Sequence, residues 1–231
     1  MPRILYVAWI LHYRKRLDVY LRPEPLPITL GTKKTPGGVK WLEEGLLDRH
    51  ARYRVEDFLL RKALETGIKI TLIAGDPTIP HSIFSPDRLP PSDELVISYL
   101  SPRMFTILFL CPSAEHALIL GSDTEHIFEV SSKDIFLHVF SRKEEKKTLG
   151  WLQRLRIHGI PRQIALSVPY SHFLDKDTFL DFVMGGAMIL THYFLDQLEK
   201  WIFTITRARI ANGHEPWNQW TRASRVHSRR G

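Results

Sequence analysis

The stretch Ile68-Lys-Ile-Thr-Leu-Ile-Ala-Gly-Asp-Pro77 decides the reading of this chain. Its first seven residues are mostly apolar and rich in β-branched side chains, which predicts a buried strand. Gly75-Asp76-Pro77 breaks that strand with turn chemistry. The loop Pro77–Pro91 holds five prolines. A second strand is expected at Leu95-Val-Ile-Ser-Tyr-Leu100, continuing through Ser101-Pro102 into the apolar run Met104-Phe-Thr-Ile-Leu-Phe-Leu110.

Upstream, Trp41, Leu42, Leu46, Leu47, Val55, Phe58, Leu59 and Leu64 recur at helical spacing. They predict one helix over residues 39–66, or two with a kink near Gly45, stopped by Gly67. Before it lie a proline-rich connector, a short strand at 27–30 and a Gly-rich loop at 31–38. Downstream, residues 117–120 and 127–130 read as the strands of a hairpin around Gly121-Ser-Asp-Thr124. Residues 135–140 fit a strand or a short helix, and Trp151–Ile157 a basic amphipathic helix. Residues 164–168 read as a strand. Asp175 or Asp177 is expected to cap a long helix running to Asn212, bent at Gly185-Gly186. The fold class is therefore mixed α/β or α+β. A central sheet, mostly antiparallel or mixed, is packed by helices, with a long C-terminal helix. Residues 1–212 form one globular domain and 213–231 a basic, flexible tail.

The formal charge of +7 is concentrated at the C-terminus. Arg207, Arg209, Arg222, Arg225, Arg229 and Arg230 stand there against the single acid Glu215. Such a tail suits nucleic acid or another anionic partner, and equally suits plain solubility. One cysteine, Cys111, excludes an internal disulfide and points to a reducing compartment, cytoplasmic or nuclear. The apolar run at residues 4–11 is too short to span a bilayer and lacks a small-residue cleavage site, so a buried strand or helix is expected there. No transmembrane segment is expected.

Motifs for chemistry are sparse. Thr35-Pro-Gly-Gly-Val-Lys40 lacks the Gly-Lys-Ser/Thr end of a phosphate-binding loop. The pairs Glu115-His116 and Glu125-His126 lack the spacing of a metal site, and no metal or cofactor is expected. No G-x-S-x-G elbow surrounds Ser101, Ser167 or Ser171. Asp76 is the catalytic candidate, because α/β proteins place site acids just beyond the C-terminal ends of buried strands. Its structural alternative is an aspartate bonding its own turn. Trp217 and Trp220, interleaved with arginines, suit base stacking or docking of the tail onto the body.

Three elements bear a resemblance to a family. Gly75-Asp76-Pro77 ends a strand, Leu100-Ser101-Pro102-Arg103 precedes Ile107-Leu-Phe-Leu110, and Ser167-Val-Pro-Tyr-Ser-His-Phe-Leu-Asp-Lys-Asp-Thr178 precedes a helix. Together they resemble the mostly fungal domain of unknown function 4238 family over the last two thirds of the chain. The resemblance implies a closing strand–turn–helix and no established activity or catalytic residue. The asparagine that often follows the family's aspartate is missing here, as is its His-His-rich opening.

The leading functional expectation is a binding protein for an anionic partner, nucleic acid being one. Lys33, Lys34, Arg154, Arg156, Arg222, Arg225, Arg229 and Arg230 would make the contacts. Two alternatives stand beside it. One is a small-molecule enzyme with Asp76 in a cleft. The other is a subunit of a larger assembly, engaging a protein partner through the apolar C-terminal helix at 179–203.

Overall fold

A computed structural model describes residues 44–86, 93–141, 148–158, 160, 164, 166–175, 178–205 and 218–230. The expected elements at 4–11 and 27–30, together with Lys33 and Lys34, lie outside the described residues.

Helix α1 (Leu46–Thr66) starts at Gly45, whose N–H donates to the Asp48 carboxylate. This is the point where the sequence allowed a kink. It buries Ala51, Val55, Phe58, Leu59 and Ala63, one face at helical spacing. It stops at Gly67, where φ of 73° is left-handed backbone that a side chain disfavours.

Four strands follow: β1 (Lys69–Ala74), β2 (Ser82–Phe84), β3 (Glu94–Tyr99) and β4 (Phe128–Val130). Their order in the sheet is β2-β1-β3-β4. β2 returns antiparallel on one side of β1, while β3 lies parallel to β1 on the other, register Lys69 to Glu94. β4 closes antiparallel on β3. The sheet is therefore mixed, between helices, as the expected mixed α/β class requires.

Several apolar runs take a different form from that expected. Residues Arg103–Leu110 are helix α2, not a continuation of β3. Pro102 suits a helix start because its fixed φ and missing N–H are harmless there, and Ser101 accepts from the N–H of Met104 and Arg103. Met104, Phe105, Ile107, Leu108 and Phe109 are buried, while Arg103, Thr106 and Leu110 are half-buried along the remaining face. Its Thr106 hydroxyl donates to Asp48, tying α2 to α1.

The hairpin expected over 117–130 is also absent. α3 (Ala114–Ala117) runs into a π-helix (Leu118–Thr124), and β4 finds its partner in β3 instead. The ambiguous segment near 135 is helix α4 (Lys133–Val139), capped by Ser132. Helix α5 (Trp151–His158) forms as expected. No strand forms at the described positions 164 and 166–168, so the closing strand that the resemblance implies is missing there.

Helix α6 (Phe179–Ile205) is the long C-terminal helix, and α7 (Gln219–Arg230) follows it. Asp175 lies four residues before the start of α6 and pairs with Arg156; Asp177 lies outside the described residues. α7 replaces the flexible tail expected beyond 213. Trp220 packs against the core and Ala223 is fully buried. The core runs from α1 across the sheet, with Phe58, Phe136, Phe140 and Phe173 meeting ring to ring at 4.4–5.5 Å.

Candidate functional site

Asp76 sits where expected, just beyond β1. The Gly75 N–H donates to the Tyr99 carbonyl at 2.6 Å, bringing the ends of the parallel strands together. One oxygen of Asp76 accepts from both the N–H and the hydroxyl of Thr78, at 2.9 and 2.7 Å. The carboxylate thus closes its own turn, the structural alternative that Gly-Asp-Pro allows.

Arg156, expected on a basic surface, is buried in the core. Its Nη1 and Nη2 donate to the two oxygens of Asp175, each at 2.8 Å, and its Nε donates to the Phe109 carbonyl at 3.0 Å. Gln153 donates to the carbonyls of Pro112 and Pro169, and Arg54 to that of Leu174. Burial opposes ionisation of Asp175, but the bonded guanidinium outweighs it and holds the carboxyl below its ordinary range. This network fastens the segment 169–175 to α1, α2 and α5.

Cys111, His172 and Asp175 meet in the same region, residue types that elsewhere assemble nucleophilic sites. Here each is spoken for. The His172 Nδ1 accepts from the Leu174 N–H. Burial pushes His172 well below its usual value and the Cys111 thiol well above its own. A neutral thiol and an imidazole committed to backbone make structure, not a nucleophile.

A cavity of about 180 Å³ opens beside α3, lined among others by Ser113, Glu115, Ser141, Ser167 and Ser171. The Ser113 hydroxyl lies 2.7 Å from His116 Nδ1 and also accepts the His116 N–H. Burial lowers His116 to about 4, so its ring is neutral at pH 7, yet a weak base. The ring meets Trp220 of α7 edge-on at 6.3 Å. The volume is below the usual range of about 300–1,000 Å³ for small-molecule sites. Ser113 serves here as an N-cap, and the three-residue Ser-to-His spacing was the sequence signal for it.

The remaining basic residues are scattered. Arg154 is exposed on α5 and Arg225 on α7. Arg222 turns inward, its guanidinium on Glu125 of the π-helix end at 2.6 and 2.8 Å. Arg229 and Arg230 belong to α7, but their side chains lie outside the described residues. Trp220 docks the helix, the second of the two roles open to it; Trp217 lies outside the described residues. Among the described residues, no cluster of His, Cys, Asp and Glu is arranged to hold a metal ion.

The most exposed apolar surface belongs to α6. Its inner face packs on α5 at Gly185, Gly186 and Tyr193, with Trp151 against Phe182 at 5.5 Å. Away from it, Phe179, Val183, Leu190, Phe194, Trp201 and Ile205 face solvent. No helix among the described residues is long and apolar enough to cross a membrane. Comparison with protein-family models, curated proteins and solved structures finds no match for this chain.

Proposed function

We propose that this chain is an interaction subunit that docks a protein partner along α6. The observation that carries the reading is the run of exposed aromatic and aliphatic side chains along that helix. Leaving such a surface in water is unfavourable by about 25 cal/mol per Å², and contiguous apolar patches of this kind mark interaction surfaces. A bilayer surface suits the helix less well. Interfacial helices carry a polar face rich in lysine and arginine, whereas α6 has Asp181, Asp196 and Glu199 against Lys200.

The reading is tested with an environment-sensitive hydrophobic dye on the dilute chain. Dye fluorescence is expected to fall at least about twofold in the Leu190→Glu/Phe194→Glu variant, with circular dichroism unchanged. Equal dye binding by both proteins would remove α6 as the accessible face.

Contact with an anionic partner is a second reading, supported by the exposure of Arg154 and Arg225. Here the expected signature is nucleic-acid affinity that falls steeply with salt and weakens in Arg225→Ala. Salt-independent or absent binding would dismiss it.

A further inference from the structure

The outer face of α6 is spaced so that it matches itself when reversed. Phe182, Met184, Leu195 and Ile202 are also exposed on α6; the six large apolar side chains that share one stripe are Phe179, Val183, Leu190, Phe194, Trp201 and Ile205. Their intervals along the chain, four, seven, four, seven and four residues, read the same in both directions. At about 100° per residue these positions fall within an arc of about 80° and extend over about 39 Å of helix. That arc borders the face that packs on α5, with Gly186 about 20° outside it.

We infer that the partner of this face is a second copy of the same chain, paired antiparallel about a two-fold axis at His192. The inference rests on the interaction reading above and names its occupant. In this register Phe179 lies against the second copy's Ile205, Val183 against its Trp201, and Leu190 against its Phe194. All three of these pairs set a large aromatic ring against a smaller aliphatic side chain, which keeps the helix axes evenly separated at about 8–10 Å. A parallel pairing stacks Trp201 on Trp201 and Val183 on Val183, leaving the axes splayed at one end and tight at the other. Antiparallel alignment also opposes the helix dipoles favourably.

The area is sufficient for a dimer. The six side chains are 47–82 % exposed. At about 150–250 Å² for a whole large side chain, they offer on the order of 700 Å² per copy. A stable interface buries about 800 Å² per partner, and an isologous contact supplies the same patch from both copies.

The test is sedimentation of the full chain between about 1 and 100 µM, a range that covers micromolar dissociation constants. The chain is expected to sediment as a dimer. Val183→Lys and Trp201→Glu, each at an exposed position, should each raise the dimer dissociation constant at least about tenfold. Combined in one chain they should restore association, because the ammonium and carboxylate then meet across the two-fold. A combined variant no better than the worse single one overturns the antiparallel register. A wild-type chain monomeric at 100 µM overturns the second copy as occupant. If that monomer still binds dye in a Leu190- and Phe194-dependent way, the interaction reading survives the loss. If neither dye nor dimer is seen, both fall.

Discussion

The guanidinium of Arg156 and the carboxylate of Asp175 form a two-pronged ion pair, both bonds 2.8 Å, with the arginine side chain fully buried. The pair joins α5 to the segment leading into α6.

Asp175→Asn should destabilise the chain by about 3 kcal/mol, because it strands a buried cation. Arg156→Met combined with Asp175→Leu should recover most of that loss, since the desolvation cost disappears with the charges. Urea unfolding of the three proteins measures both effects. Recovery absent in the double variant would mean the pair does more than compensate its own burial. The folded carboxyl is held below its unfolded value, so its contribution is present above about pH 4 and is lost as pH falls through the folded value.

His116 produces a separate acid sensitivity. Burial lowers it to about 4, against an unfolded value near 6.5, so protonation favours the unfolded chain. Its neutral form contributes no penalty above about pH 6.5, and stability should fall by about 3 kcal/mol as pH drops from there to about 4. His172 is displaced in the same direction, again by burial first. His116→Gln should therefore shallow the pH slope without abolishing it, and an NMR titration of His116 should show its midpoint near 4. A midpoint near 6.5 would contradict the burial.

Gly121 is required by a neighbour. A Cβ at this position would overlap the ring of Phe128, which is buried and stacked on Phe136. Gly121→Ala should cost about 1–3 kcal/mol through overpacking. Adding Phe128→Leu should relieve the clash, leaving the double variant closer to Phe128→Leu alone than additivity predicts. Thermal melts of the four proteins complete the cycle.

Glu125 and Arg222 hold α7 to the body with side chains only 8 % and 13 % exposed. Glu125→Ala should release the helix locally, and trypsin should cut at Arg222 and Arg225 at least about tenfold faster. Lys133→Ala, which breaks a more exposed pair with Asp123, should change the cleavage rate little. Equal rates in all three proteins would show that Trp220 and Ala223 hold α7 unaided.

How much was legible in the sequence varies with how local the cause is. The stop of α1 at Gly67, the turn at Asp76, and strands β1 and β3 could be read because each depends on residues a few positions apart. The candidate site was harder to read. Asp76 stood out as an acid after a strand, but its hydrogen bonds go to Thr78, two residues on. Arg156 looked like a surface cation because an amphipathic pattern says nothing of an aspartate nineteen residues away.

Sequence alone thus determined the mixed α/β class, the α1 stop, the positions of β1 and β3 and the apolar character of α6. Tertiary structure decided the rest. In the short run Met104–Leu110 only Thr106 is polar, too little to mark a period, so packing against α1 selects helix over strand. β4 pairs with β3 and not with the segment just before it, because partner choice in a sheet is non-local. The C-terminal arginines form a docked helix because Trp220, Ala223 and the Arg222–Glu125 pair gain more from the body than from water.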